Sequence, residues 1–492
     1  MKRCQISEKY FFAGYRLKRA LLFLLIAFQG AVLLSQDPTS VSPILSLEDF
    51  LRTVTTYHPA ARNADLEIQQ AEAALRMARG AFDPKAYGTW DQKSFDGKNY
   101  FSVGAAGLKV QSAFGVSLKS EFNIARGQFL NPENKLPAEG QAVLGLNVPL
   151  LNGLLFDPFR AELQQAKLGM LGGAAQRRAQ LNNLLFDAGL AYLDWALAYY
   201  QVQVFQQAVD VAAIRLKIVI ESFVQGDQPA IDTLETFIQL QNRLFDLNEA
   251  RLELFNTRQT LETFFWEQGK PTWINPLAGL TPEQLAQPAT SAPEINSYLT
   301  GLAERHPELQ DLQIELQTYG IDRRLAAEQF KPRLDLSYNL LAQGTDFLSP
   351  INPNDGSLLR DLLTGNFKWG LNFSFPLFLR KEQGKMESVR LKQVMTSNKF
   401  ERKFTEQEAK IRNYFNELQT TQQQIELYSG ITDNYARLFE AEQIKFELGE
   451  SSVFLLNTRE QKFLEARLKL MKLQALFRKN LLALAWASGQ LI

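Results

Sequence analysis

The chain's only two histidines each stand directly before a proline, as His58-Pro59 and His306-Pro307, 248 residues apart. Imidazole is the usual general base and metal ligand near neutral pH, so a repeated histidine invites a catalytic or metal reading. Their identical place in two copies of one pattern argues against it. Capping or turn formation ahead of a first-turn proline is the preferred role. The single cysteine, Cys4, can join neither a disulfide framework nor a Cys/His metal set. No Ser/His/Asp or Cys/His arrangement can be assembled without the two histidines. No glycine-rich phosphate loop opens a helix. No catalytic, cofactor-binding or metal residues are expected, and no cofactor. The sequence does not read as an enzyme. Carboxylate pairs on helices are those of any solvated helix face.

Bulk numbers bound the rest. The 492 residues carry no net charge, which argues against a nucleic-acid partner. Residues 20–34 (ALLFLLIAFQGAVLL) form the one apolar run. It is too short to cross a bilayer and follows a basic leader, so residues 1–35 read as a secretory signal peptide. Cleavage there removes Cys4 and leaves 47 basic and 52 acidic residues, a net charge of −5. No later stretch is apolar enough for a membrane helix, so a mature membrane form must be a β-barrel.

The elements that carry these residues come twice. LRTVTTYHPAARNADLEIQQAEAALRMARGAFDPKAYGTW, from Leu51, answers LTGLAERHPELQDLQIELQTYGIDRRLAAEQFKPRLDLSY, from Leu299. GLNVPLLNG (145–153) answers GLNFSFPLFL (370–379), and the segment after Gly226 answers that after Gly449. Counted from each glycine, Leu240, Leu247, Leu254 and Leu261 share offsets with Phe463, Leu470, Phe477 and Leu484. A seven-residue period is that of supercoiled helices. Each repeat reads as a helix opened by His-Pro, strands, a long helix, a glycine turn, and a heptad helix of about 38 residues. The long helices, Phe159 to Gln225 and Lys381 to Leu448, lack internal proline and span about 100 Å at 1.5 Å per residue. The divisions are a signal peptide (1–35), a first repeat (36–268), a proline-rich connector (269–298) and a second repeat (299–492).

Six segments alternate between apolar and polar residues: 86–95, 100–110, 114–124, 141–150, 333–343 and 366–376. Their lengths match a transmembrane β-strand, and Tyr87, Trp90, Tyr100, Phe101, Tyr338, Trp369, Phe373 and Phe375 crowd there as interfacial aromatics would. Periodicity fits a soluble sheet equally well. So few strands close no barrel alone, so a membrane reading requires several chains to share one.

With the two His-Pro openings, the GLNVPL and GLNFSFPL strand ends and the Gly226 and Gly449 turns, the sequence resembles the TolC-like outer-membrane efflux protein family. The fold class this implies is mainly α with a membrane β-barrel: a tandem-repeat long-helix tunnel plus strands shared in a homotrimer's barrel. The implied role is a passive exit duct in the cell outer membrane, extending into the periplasm. Its partners would be outer-membrane lipid, a periplasmic adaptor (membrane fusion) protein and an inner-membrane pump. Small-molecule efflux and type I protein secretion stay equally open, and a soluble periplasmic coiled-coil scaffold is the alternative of another class. The resemblance implies a pore aperture near the glycine turns. It falls on Asp232 and Glu235, six and nine residues after Gly226, and on Leu455 and Thr458 at the matching places after Gly449. Carboxylates gathered there would favour cations, and Leu455 would form an apolar constriction. Asp232 and Glu235 also suit a helix N-terminus. Gly226 and Gly449 would be helix stops facing the adaptor. The chain departs from the pattern in having His-Pro where the family more often has Asn-Pro. It also lacks a lipid-anchor cysteine, and its aperture residues differ between repeats. Finally, Pro84 to Pro149 spans 65 residues against 44 from Pro332 to Pro376, room for an extra hairpin in the first repeat.

Overall fold

The computed structural model describes residues 44–267, 269–271, 277–278, 294–344 and 365–491. The expected signal peptide (1–35), with Cys4, and most of the expected proline-rich connector lie outside the described residues. A small unit consists of β1 (Ile44–Leu45) paired in parallel with β8 (Leu277–Ala278). The large unit begins with α1 (Leu47–Tyr57), α2 (Pro59–Gly80), β2 (Lys85–Phe95), β3 (Lys98–Gln111), β4 (Ser117–Arg126) and β5 (Gln141–Pro149). Next come α3 (Pro158–Gln225), α4 (Ala230–Glu262) and the hairpin of β6 (Trp266–Glu267) and β7 (Lys270–Pro271). The second half holds α5 (Ile295–Leu299), α6 (Leu302–Arg305), α7 (Pro307–Glu328), β9 (Arg333–Gln343), β10 (Phe367–Ser374), α8 (Arg380–Glu447) and α9 (Val453–Ala487).

The expected long helices are present, at 68 residues each for α3 and α8. The start of α3 is fixed locally. Pro158 occupies the first turn, and Asp157 Oδ1 accepts from the Arg160 amide at 2.8 Å while its Oδ2 accepts from Arg160 Nε at 2.8 Å. The same guanidinium donates to the carbonyls of Gly153, Leu154 and Leu155, which pins the strand-to-helix connector. At the matching place in the second repeat, Leu379 takes the left-handed conformation (φ 48°) and caps nothing with its side chain. Within α3, glycine permits close packing. A Cβ on Gly189 would sit 2.5 Å from Leu482 Cδ2, so α9 lies against the backbone there.

The heptad residues face inward. Leu247 and Leu261 on α4, and Phe477 and Leu484 on α9, are buried. Two aromatic and aliphatic clusters hold the middle of the helices. Phe50 stacks on Tyr192 (5.7 Å) and Phe265 (6.4 Å) in one, and Leu302, Leu309, Ile411, Leu418, Phe477 and Leu484 make the other. One expectation is corrected. The helix after Gly226 stops at Glu262, after 33 residues, and does not run on to Gly269. Phe265 turns inward against Phe50, the Trp266 indole donates to the Thr263 carbonyl at 2.9 Å, and Gly269 (φ 81°) belongs to the β6–β7 hairpin instead.

The six strands form one antiparallel sheet in the order β10-β9-β5-β4-β3-β2. Among the described residues the first repeat supplies four strands of this sheet and the second two, and the spare length between Pro84 and Pro149 holds an added hairpin. The segment expected from residue 114 starts as strand only at Ser117. Residues before it make the β3–β4 turn around Gly115 (φ 88°). β2 and β3 are joined by a two-residue turn, Asp96-Gly97, with both φ values positive (51° and 66°), the geometry that matches strand twist.

Candidate functional site: a two-faced sheet and a pair of helix turns

Strand register decides which residues share a face, because residues opposite one another point to the same side. The row Val110, Leu118, Leu146, Tyr338, Trp369 crosses five strands. On one side of it the next row of that face is Ala86, Leu108, Ser120, Leu144, Leu340, Phe367, and on its other side the next row carries Val148, Leu336 and Leu371. This face is apolar across the sheet and open: Trp90, Leu108, Trp369, Leu371 and Phe373 are all more than half exposed. Trp90 lies over Gly104 on the neighbouring strand, where a side chain would collide with its ring. Aromatics gather at both ends of the strands. Phe95, Tyr100 and Phe129 cluster beside the Asp96-Gly97 turn. Phe114, Phe375 and Phe378 stand exposed at the end where the helices begin.

The opposite face is polar. Tyr87 donates to Glu121, Lys119 stands 3.7 Å from Glu121, and Arg333 pairs with Asp335 at 2.6 Å. Asn147, Asn339 and Asn372 lie on the same side by register.

At the far end of the helices from the sheet are the two glycine turns. Gly226 (φ 87°) ends α3, with its amide donating to the Phe223 carbonyl and the Asp227 amide to Ser222. Gly449 (φ 74°) follows α8 with the same two bonds, to Phe446 and from Glu450 to Lys445. No atom lies within 4 Å of a Cβ added to either, so both turns are open to solvent. Asp232 sits in the first turn of α4, half-buried. Glu235 and Thr458 line one cavity of about 470 Å³ between α4 and α9, together with Asn242, Arg243 and Gln461. Asp232 and Leu455 are not part of its lining. Leu455 is half-buried in the first turn of α9, where its amide donates to the Ser452 cap at 3.3 Å.

The histidines act at helix starts. His58 Nδ1 accepts from the Ala60 amide at 3.1 Å, capping α2. His306 has the same backbone role at α7 but its ring caps nothing, and burial pulls its pKa down to about 4. Among the described residues no group of His, Cys, Asp and Glu could hold a metal ion, and no helix is long and apolar enough to cross a membrane.

Two features escape a reading of the sequence alone. One is a buried link between the repeats: Arg215 on α3 binds Glu460 on α9 and donates to Asn457 Oδ1 at 2.9 Å. Its only local signal is a cation inside an apolar run, AAIRLKIVI. The other is a second heptad row on α4. Ile231, Ile238, Phe245 and Leu252 repeat every seven residues and are 47 to 69% exposed, so this seam is open to solvent, with Ile238 and Phe245 at the border of the cavity between α4 and α9. Its period was there to be seen beside the buried row.

Residues 299–490 match the family model described as Outer membrane efflux protein. No curated protein matches the chain. Solved structures match it nearly end to end. The CmeC outer membrane channel of Campylobacter jejuni is 15% identical with a TM-score of 0.61, covering 93% of this chain and 90% of that one. The open state of the MtrE outer membrane channel of Neisseria gonorrhoeae gives 14%, 0.65, 90% and 88%. The outer membrane protein VceC of Vibrio cholerae gives 14%, 0.60, 90% and 96%. The second repeat thus resembles outer-membrane efflux proteins in sequence, and over nearly its whole length the chain has the fold of solved outer-membrane channels.

Proposed function

We propose that three copies of the chain close one outer-membrane β-barrel, continued by an α-helical tunnel into the periplasm. The assembly would serve as the passive exit duct of a tripartite efflux or type I secretion system. The observation that carries this reading is the division of the sheet into an apolar, solvent-open face and a polar face. A barrel wall needs lipid-facing and water-facing sides in that arrangement, with aromatics at both ends. β2 starts and β10 finishes at the helix end of the sheet, so the two free edges run antiparallel and can pair between copies. Six strands from each of three copies give about eighteen, an even number within the range of outer-membrane barrels and wide enough for an aqueous channel. The exposed heptad row on α4 supports the tunnel, because a helix in a closed cylinder needs an apolar seam on each side. A soluble scaffold leaves the apolar sheet face unexplained.

In this reading Asp232, Glu235, Leu455 and Thr458 border the periplasmic aperture. The open turns at Gly226 and Gly449 are what the adaptor meets, and an inner-membrane pump delivers the cargo. The test is fractionation followed by reconstitution. A detergent-extracted, heat-modifiable trimer that conducts ions across planar bilayers is the expected result. Recovery in the soluble periplasmic fraction would overturn the reading.

A further inference from the structure

The register puts four lysines in one row. Lys85 stands opposite Lys109, Lys109 opposite Lys119, Lys119 opposite Gly145, Gly145 opposite Asn339 and Asn339 opposite Lys368. The row crosses all six strands on the polar face. Adjacent strands are about 5 Å apart, so Lys85, Lys109 and Lys119 are direct neighbours, and like charges placed directly opposite destabilise a sheet. Lys119 has Glu121 at 3.7 Å. Among the described residues no carboxylate forms an ion pair with Lys85, Lys109 or Lys368. Gly145 matters to the arrangement. A Cβ there would lie 2.7 Å from Lys119 Cγ and 2.8 Å from its Cε, so the lysine stem lies flat across the glycine toward Asn339. The other charges of the face do not cancel the row. Arg333 and Asp335 neutralise each other nearer the helices, and Asp91 and Lys93 balance nearer the Asp96-Gly97 turn.

We infer that this lysine row is an anion-attracting band on the inner wall of the barrel, and that the substrates it favours are small anions, organic or inorganic. The inference rests on the barrel reading above. Strands in such barrels tilt by about 35–45°, so a hydrogen-bonded row climbs the wall and does not lie in one plane. The lysines therefore form successive steps at different heights, and mobile anions supply the counter-charge the fold omits. This selectivity lies in series with the carboxylates proposed for the aperture and is separable from them by mutation.

The experiment is the reversal potential of reconstituted protein in a potassium chloride gradient at low ionic strength, where charges in a wide pore are least screened. Replacing all four lysines with glutamine should lower the chloride-to-potassium permeability ratio by about twofold or more. The four lysine-to-arginine changes should leave the ratio near that of the wild type. If the fourfold glutamine variant yields no heat-modifiable trimer, K109Q alone should give a smaller shift of the same sign. Conducting channels with an unchanged ratio would overturn the band and leave the barrel standing. A wild-type protein that never conducts would overturn both.

Discussion

The buried pair between Arg215 and Glu460 offers the sharpest test of how the two repeats are held together. Arg215 lies 11 residues before Gly226 and Glu460 lies 11 residues after Gly449, so the link ties the repeats at one height, about 16 Å from the turns. The two side chains are 8% and 5% exposed. Replacing Arg215 with methionine keeps most of its bulk and removes its charge. Glu460 then holds a carboxylate away from water without its cation, and Asn457 loses the donor at 2.9 Å. Breaking one side of a buried pair costs about 3–5 kcal/mol, whereas replacing both sides with apolar groups of similar volume is often close to neutral. R215M should therefore destabilise strongly, and R215M/E460L should recover most of the loss. The double-mutant coupling should be about 3 kcal/mol or more. The assay is loss of helical circular dichroism on heating. One scan rate must serve all variants, because large assemblies unfold irreversibly and their melting reports a rate. Single and double substitutions that simply add, each no larger than a surface change, would refute the claim that this pair is buried and mutually dependent.

Three further outcomes are expected. His306 is held at about 4 by burial, with Lys403 and Lys410 adding to the lowering and Glu308 opposing it, against 6.5 when free. The unfolded chain therefore binds this proton first. Stability is fully present above about 6.5 and falls by up to about 3 kcal/mol as pH drops toward 4, with no further loss below. Melting curves of H306N should be flatter than those of the wild type across that window, and parallel curves would count against it. Alanine at Gly226 or Gly449 meets open space but must hold a left-handed backbone, which costs about 1–2 kcal/mol at each site. Amide exchange in the last turns of α3 and α8 should quicken accordingly, and unchanged protection would refute the strain. Replacing Asp232 with alanine should reduce the cation preference of the reconstituted pore, and unchanged reversal potentials in planar bilayers would exclude Asp232 from the aperture.

The long helices were legible because nothing interrupts them. No proline lies inside α3 or α8, and glycine closes α3 and follows α8 where a left-handed residue is needed. The strands were legible from alternation, and the longer first repeat foretold the added hairpin. The end of α4 was not legible, since Thr263, Phe264 and Phe265 continue the apolar pattern and only the packing of Phe265 on Phe50 shows that the chain has turned. The lysine row was hidden for a different reason. Which lysines stand side by side depends on register, and register depends on the tight Asp96-Gly97 turn and on the shift between Lys93 and Ser94. Arg215 and Glu460 are 245 positions apart, and no local rule joins them.

The order of strands in the sheet also governs how the chain can fold. β5 pairs on one side with β4, its close neighbour in sequence, and on the other with β9, where Gln141 meets Gln343. Contacts between residues so distant in sequence form slowly, because a large loop must close before any hydrogen bond rewards it. Until residues 333–343 are in place, β5 is the bare edge of a four-stranded sheet with one apolar face. That intermediate is a template for aggregation. The second repeat is thus the step that seals the first, and until it arrives the apolar face and the open edge of β2 to β5 are exposed together.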